Sequence, residues 1–335
     1  MIVDITGGTK VMSAALALCA RQWPCRYYYT GGTERGNNNV GIVVDGSEKE
    51  FETENPWDAL GYQALEEFRL FFNANQFAAA RLCAEEAKKR AGDEGIKKKF
   101  QAWETLASGY AAWESFDHAT ALTDLNSVAG KYANDMAANG DAIWGGEQKN
   151  LACENIEQLT QLSGSRGQPT AMMVFELLAN AQRRGAEGRY DDAVARLYRC
   201  TEAIAQFRLL DRYKLDSGAV PLGKLPKSLQ DKWSSRALDG MLKLALQDDY
   251  ALLRELGDDL GRKFTELGMA GEKSPLSARN SSILAHGFIP ISEKAYGRLL
   301  GCVQALAEAL GGFEAGGINF PKIGGQGSTK PQSGN

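Results

Sequence analysis

The rhythm of apolar and polar positions changes near Pro56. Before it, Ile2-Val3-Asp4-Ile5 reads as a short strand and Thr6-Gly7-Gly8-Thr9-Lys10 as a tight turn. Val11 to Gln22 follows as a helix with apolar residues on most faces, and Cys25 to Thr30 as an apolar and aromatic strand. That is a β-turn-α-β unit. Val40 to Val44 and Lys49 to Thr53, separated by Asp45-Gly46-Ser47, read as a hairpin that Asn55-Pro56 ends. From Trp57 to about Gly312 the pattern is almost wholly helical. Ala193, Leu197, Cys200, Ile204 and Phe207 recur at spacings of three and four, so this helix turns one face to a core.

The expected fold class is therefore α/β plus α: a partial Rossmann-like unit over 1–56, a helical region over 57–312 and a Gly/Ser/Pro-rich disordered tail over 313–335. The first strand starts almost at Met1, so the α/β unit reads as the later part of a domain. Asn75 to Ala80 and Gly188 to Ala193 each place an aromatic three residues before an Ala, like the first turn of a helix in a helix-turn-helix repeat. Two such segments so far apart do not make a solenoid.

Composition closes several doors. The 38 basic and 42 acidic residues give a net charge of -4, so no bulk positive field marks constitutive nucleic-acid binding, and any RNA contact must be local. Cys19, Cys25, Cys83, Cys153, Cys200 and Cys302 lie far apart with no CxxC pair, which reads as reduced core thiols of a cytoplasmic protein. No apolar run approaches the roughly 18 residues of a membrane helix. With no HExxH and no Cys/His or acidic cluster, no metal site is expected.

Two segments carry candidate chemistry. The turn Thr6 to Thr9 leaves backbone N–H groups free at a helix N-terminus, where Lys10 adds charge; an anion or nucleotide pocket and a plain βα turn are both compatible with it. It is neither a P-loop nor GxGxxG. In Arg279-Asn280-Ser281-Ser282-Ile283-Leu284-Ala285-His286, an arginine stands seven positions before one of only two histidines. On a continuous helix the pair would share a face, ~10 Å apart along the axis. A guanidinium could then hold a phosphate beside an imidazole. His286 also reads as a helix C-terminal residue before Gly287. Ser282 and His286 are one turn apart, but no nucleophile elbow surrounds the serine. His118, in Trp113-Glu114-Ser115-Phe116-Asp117-His118, reads as a partly buried structural histidine.

Val3 to Ser13 resembles the second conserved segment of CARF domains, the Rossmann-like sensors of cyclic oligoadenylate in CRISPR systems. Arg279-Asn280 followed by His286 resembles the catalytic motif of HEPN ribonucleases. Asn55-Pro56-Trp57-Asp58, the Tyr190-to-Glu202 stretch and Ala278 to Gly287 are similar to one branch of the type III CRISPR ancillary nucleases, so the resemblance covers nearly the whole chain. The family's CARF domain has an additional N-terminal half to which nothing here corresponds.

The resemblance implies a metal-independent single-stranded RNA endoribonuclease of antiviral defence, homodimeric, with cyclic oligoadenylate as allosteric activator and no cofactor for catalysis. It implies that Thr6, Gly7, Gly8, Thr9, Lys10 and Met12 contribute one side of the activator pocket, and that a partner chain could supply missing strands. Cutting RNA without a metal requires the adjacent 2'-hydroxyl to attack phosphorus, which leaves a cyclic phosphate. Histidine titrates near neutral pH, so His286 would move or position that proton, and Arg279 would neutralise the phosphate through a planar fork that lysine lacks. Asn280 would orient the arginine or the phosphate, or make a structural hydrogen bond. The alternative is a catalytically silent helical adaptor that binds RNA or a nucleotide through a vestigial sensor.

Overall fold

The computed structural model describes the chain except residues 21, 22, 24, 37–42, 56–60, 92, 133–145, 166, 272, 286, 312–317 and 325–335. It divides into two compact units, Met1–Gln148 with Lys322–Asn335, and Lys149–Pro321. The architecture is α/β plus α, as the pattern predicts.

In the first unit the β-α-β reading holds. Strand β1 (Ile2–Asp4) pairs in parallel with β2 (Arg26–Gly32), and helix α1 (Lys10–Cys19) connects them. Tyr27, alternating inward on β2, is buried with Ala20 and Cys25 against Val3, Ile5 and Ala17, and its hydroxyl donates to the Ala17 carbonyl at 2.7 Å. The hairpin differs from the expected one. Strand β3 (Glu48–Glu54) pairs antiparallel with β2, from Arg26↔Glu54 to Gly32↔Glu48, instead of with Val40–Val44. Tyr-rich β2 runs on through Gly31-Gly32 and takes the centre of the order β1-β2-β3. Val43 makes a lone bridge to Arg35, whereas Val40, Gly41 and Ile42 lie outside the described residues.

Among the described residues of this unit, four α-helices follow: α2 (Tyr62–Asn73), α3 (Phe77–Arg90), α4 (Glu94–Glu114) and α5 (His118–Ser127), each packed on the next. Their core is aromatic. Phe68 meets Trp103 edge-on at 4.7 Å between ring centroids, and Phe72 meets Phe77 at 5.0 Å and Tyr110 at 5.4 Å. The turns before α3 and α5 pass through left-handed residues, Asn75 and Phe116. The aromatic Phe77 therefore opens a helix, as its pattern predicts. His118 is buried at the start of α5, and desolvation lowers its pKa.

The second unit is built around α8 (Tyr190–Tyr213), which α6 (Gly146–Gly164) and α7 (Ala171–Ala186) precede. The predicted stripe Ala193, Leu197, Cys200 and Ile204 is fully buried, Phe207 only partly. Val194, Thr201, Ala205 and Leu209 are buried as well. More than one face of α8 is covered because α7, α10 (Leu246–Glu255), α12 (Ser277–Ser281) and α13 (Glu293–Leu310) all pack on it. The helical reading is interrupted after α8. Lys214 turns left-handed, and a small hairpin of β4 (Val220–Pro221) and β5 (Met241–Leu242) flanks α9 (Lys227–Trp233). Pro221 and Pro226 exclude a continuous helix there. Tyr250 of α10 stacks on Phe264 of α11 (Asp259–Glu266) at 3.8 Å and donates to the Thr201 carbonyl at 2.9 Å.

Two further expectations are corrected. The tail over 313–335 is not disordered throughout: Ile318, Phe320 and Ile323 are buried. In the second unit Arg183 donates to the Ile318 carbonyl at 3.1 Å, and in the first Asn73 exchanges two hydrogen bonds with the Ile323 backbone, at 3.0 and 2.8 Å. Isolated apolar residues among the glycines give each unit something to bury. Nor are all the cysteines core thiols, since Cys19 and Cys153 are exposed while Cys25 and Cys200 are buried. Among the described residues no helix is long and apolar enough to cross a membrane.

Candidate active site

Arg279 and Asn280 sit in α12, a helix of little more than one turn. It ends at Ser281, so no two-turn helix continues from Arg279 through the described residues that follow. Ser282 adopts an extended ψ of 157°, and its carbonyl accepts the N–H groups of Ala285 at 3.0 Å and Gly287 at 3.1 Å. Serine pairs favour such caps and turns over helix interiors. His286 lies outside the described residues.

The Arg279 guanidinium lies over the ring of Tyr198 on α8, 4.9 Å from its centroid. Among the described residues it has no carboxylate partner, which distinguishes it from Arg189, Arg196 and Arg199, all ion-paired along α8. Asn280 is exposed and makes no side-chain hydrogen bond among the described residues. It lines an open cleft with Tyr198, Leu246, Gln247, Ser274, Leu276 and Ser277. After the motif, Ile283, Leu284, Phe288 and Ile289 expose 54–91% of their surface. The chain is then caught by Asp191, whose carboxylate accepts the Ile291 N–H at 3.2 Å.

The Gly-rich turn is ordered by its own polar groups. Thr9 caps α1 by accepting the Met12 N–H at 3.3 Å. Thr6 accepts the Thr30 N–H at 2.7 Å and donates its own N–H to Asp4 at 2.8 Å; the Thr6 hydroxyl first, and then this N–H, lower the Asp4 pKa. Gly8 takes φ 90°, where a side chain is strained, and a Cβ there would stand 3.2 Å from that of Met12. Gly7, Gly8, Thr9, Lys10 and Met12 all face outward, as do Val11 and Leu18 of α1, a helix with no buried residue. The structure therefore brings Thr6 to Met12 together as one exposed lip, in a different unit from Arg279 and Asn280.

Sequence reasoning missed Tyr198, Gln247 and Asp191 as parts of the site. Tyr198 and Asp191 fall within the Tyr190-to-Glu202 stretch whose similarity was already visible, whereas Gln247 carries no local signal.

Comparison with known proteins accords with this arrangement. Residues 163–310, the segment that holds Tyr198, Gln247, Arg279, Asn280 and His286, match the family model described as the Csm6 HEPN domain. Residues 60–151 match the model described as the Csm6 6H domain. The chain is therefore a HEPN-domain protein of the CRISPR-associated kind. Both matched models describe Csm6 domains, and they fall in succession along the helical region. The CRISPR system endoribonuclease Csm6 of Thermus thermophilus is 26% identical over 322 residues, which cover 92% of this chain and 68% of that relative.

Proposed function

We propose that this chain is a metal-independent single-stranded RNA endoribonuclease of type III CRISPR defence, activated by cyclic oligoadenylate. The observation that carries the reading is the Arg279 guanidinium, stacked on Tyr198 without a carboxylate partner among the described residues and next in sequence to Asn280, which lines an open cleft of the matched HEPN domain. A free fork of this kind neutralises a phosphate and the extra charge of a phosphorane. Asn280 orients the same phosphate. His286 moves or positions the 2'-hydroxyl proton, and the product carries a cyclic phosphate. The exposed apolar residues Ile283, Leu284, Phe288 and Ile289 are the surface on which a second subunit adds its own Arg/His set. Thr6, Gly7, Gly8, Thr9, Lys10 and Met12, the outward lip of a CARF-type β-α-β unit over 1–56, contact the activator, with Lys10 and the N-terminus of α1 favouring its phosphates.

The test is cleavage of a fluorescent single-stranded RNA in EDTA by the wild type and His286→Ala, with and without cyclic tetra- and hexa-adenylate. The expected result is cleavage by the wild type alone, dependent on one of the rings. Equal cleavage by His286→Ala overturns the catalytic assignment, ring-independent cleavage overturns the activation, and a folded protein that never cuts is the silent adaptor.

A further inference from the structure

The cleft beside Arg279 and Asn280 has a volume of ≈ 670 Å³, within the range of about 300–1,000 Å³ typical of small-ligand sites. Its walls are of two kinds. Tyr198, Leu246 and Leu276 supply flat or aliphatic surface, and Gln247, Ser277 and Asn280 supply neutral polar groups. None of the described residues that line it is charged, so it is not built for a phosphate. Apolar faces with polar, uncharged edges fit a planar heterocycle.

We propose that this cleft receives the nucleobase adjoining the cleaved phosphate and selects bases that carry an exocyclic amino group. The proposal rests on the ribonuclease reading above. Arg279 and Asn280 are consecutive, with Cα atoms ~3.8 Å apart, so a phosphate on the guanidinium puts the neighbouring nucleoside at the mouth of the cleft that Asn280 lines. Unstacked RNA bases are commonly held on aromatic side chains and read along their edges. Tyr198 serves both parts, touching the guanidinium and forming a wall of the cleft. Gln247 sets the selectivity. Its Nε2 donates to the Met269 carbonyl at 3.2 Å, which fixes the amide and leaves Oε1 to accept. Adenine, cytosine and guanine offer an amino group to that oxygen; uracil offers none.

The experiment uses short RNAs that are 2'-O-methylated at every position but one, so that a single phosphate is cleavable, with A, C, G or U placed on either side of it. The full chain and Gln247→Ala are compared with and without cyclic tetra- and hexa-adenylate, and fully 2'-O-methylated versions report binding by anisotropy. Gln247 is exposed, so the substitution leaves the fold intact. The expected result is that uracil at one of the two positions lowers kcat/KM and affinity about tenfold, and that Gln247→Ala removes the difference. Tyr198→Phe keeps the preference. A base profile identical in wild type and Gln247→Ala, with cleavage intact, overturns the pocket and leaves the ribonuclease standing. Base-selective binding that depends on Gln247 but is never followed by a cut retains the pocket and overturns the ribonuclease. RNA neither bound nor cut overturns both.

Discussion

Asp191, in the first turn of α8, holds the backbone N–H of Ile291 at 3.2 Å. One carboxylate thus ties the chain that leaves the Arg279…His286 segment to the helix that presents Tyr198 to Arg279. The exposed apolar loop between Ile283 and Ile289 is pinned just downstream of its end.

Asp191→Ala is expected to lower the unfolding free energy by about 1.5–3 kcal/mol, the usual worth of a hydrogen bond to a charged group, and to reduce RNA cleavage with it. Asp191→Asn keeps an acceptor and costs less. Chemical denaturation and cleavage rates check both; an Asp191→Ala protein with wild-type stability and rate would show that the tie positions nothing.

Arg279→Lys keeps the charge and discards the fork. Lysine cannot place a planar guanidinium over Tyr198, and its ammonium presents no parallel pair of donors to a phosphate. Cleavage should fall by about 10²–10³-fold, as when a fixed donor to a developing anion is removed. The thermal midpoint should change little, because the Arg279 side chain is only partly buried and has no ion pair among the described residues to lose. Undiminished cleavage by Arg279→Lys would mean that charge alone suffices.

Much of this was legible from residue pattern. The β1-α1-β2 unit follows from a short apolar run, a Gly-rich turn capped by Thr9 and a Tyr-rich strand, all local signals. The α8 core face follows from its three-four spacing. The partner of β3 was not legible, because Gly31-Gly32 read as a strand end while in the sheet they continue β2. Helix α12 stops at Ser281 for a reason that spacing cannot reveal: Ser282 is buried, and its carbonyl is committed to the following turn. Gln247 joins the cleft through tertiary packing alone, 33 residues before Asn280 in the chain.

A buried ion pair closes the second unit around its terminal segment. Glu176 and Arg183 of α7 meet at 2.7 Å, and Arg183 also holds the Ile318 carbonyl and lies 4.1 Å from the centroid of the Phe320 ring. Removing one partner leaves a charge in a dry place, which costs about 3–5 kcal/mol. Arg183→Met should therefore destabilise by that order and expose residues 318–320 to faster amide exchange. Adding Glu176→Gln to it should recover part of the loss. A double variant no more stable than Arg183→Met would show that the hydrogen bond to Ile318 and the Phe320 contact, not the charge pair, carry the effect.

Asp249 predicts a stability that falls as pH rises. Its side chain on α10 is buried, and desolvation pushes its pKa up to about 7, opposed by the Ser217 hydroxyl that donates to it at 2.6 Å. Asp248 and Glu202 push it further up, and Arg199 pulls it down. The unfolded chain releases this proton near the ordinary carboxylate value of 3.8, whereas the folded chain keeps it until about 7. Between those limits the folded state binds more protons, so raising pH withdraws stability, by at most about 1.4 kcal/mol per pH unit for one group. The contribution is complete below the lower limit and gone above the upper one. Asp249→Asn retains an acceptor for Ser217 and cannot ionise. Denaturation midpoints from about pH 5 to about pH 8 should decline more steeply in the wild type than in Asp249→Asn, with the variant gaining relative stability at the alkaline end. A constant difference between the two proteins across that range would mean that Asp249 is ionised in the fold, with the Ser217 hydroxyl and Arg199 outweighing the loss of water.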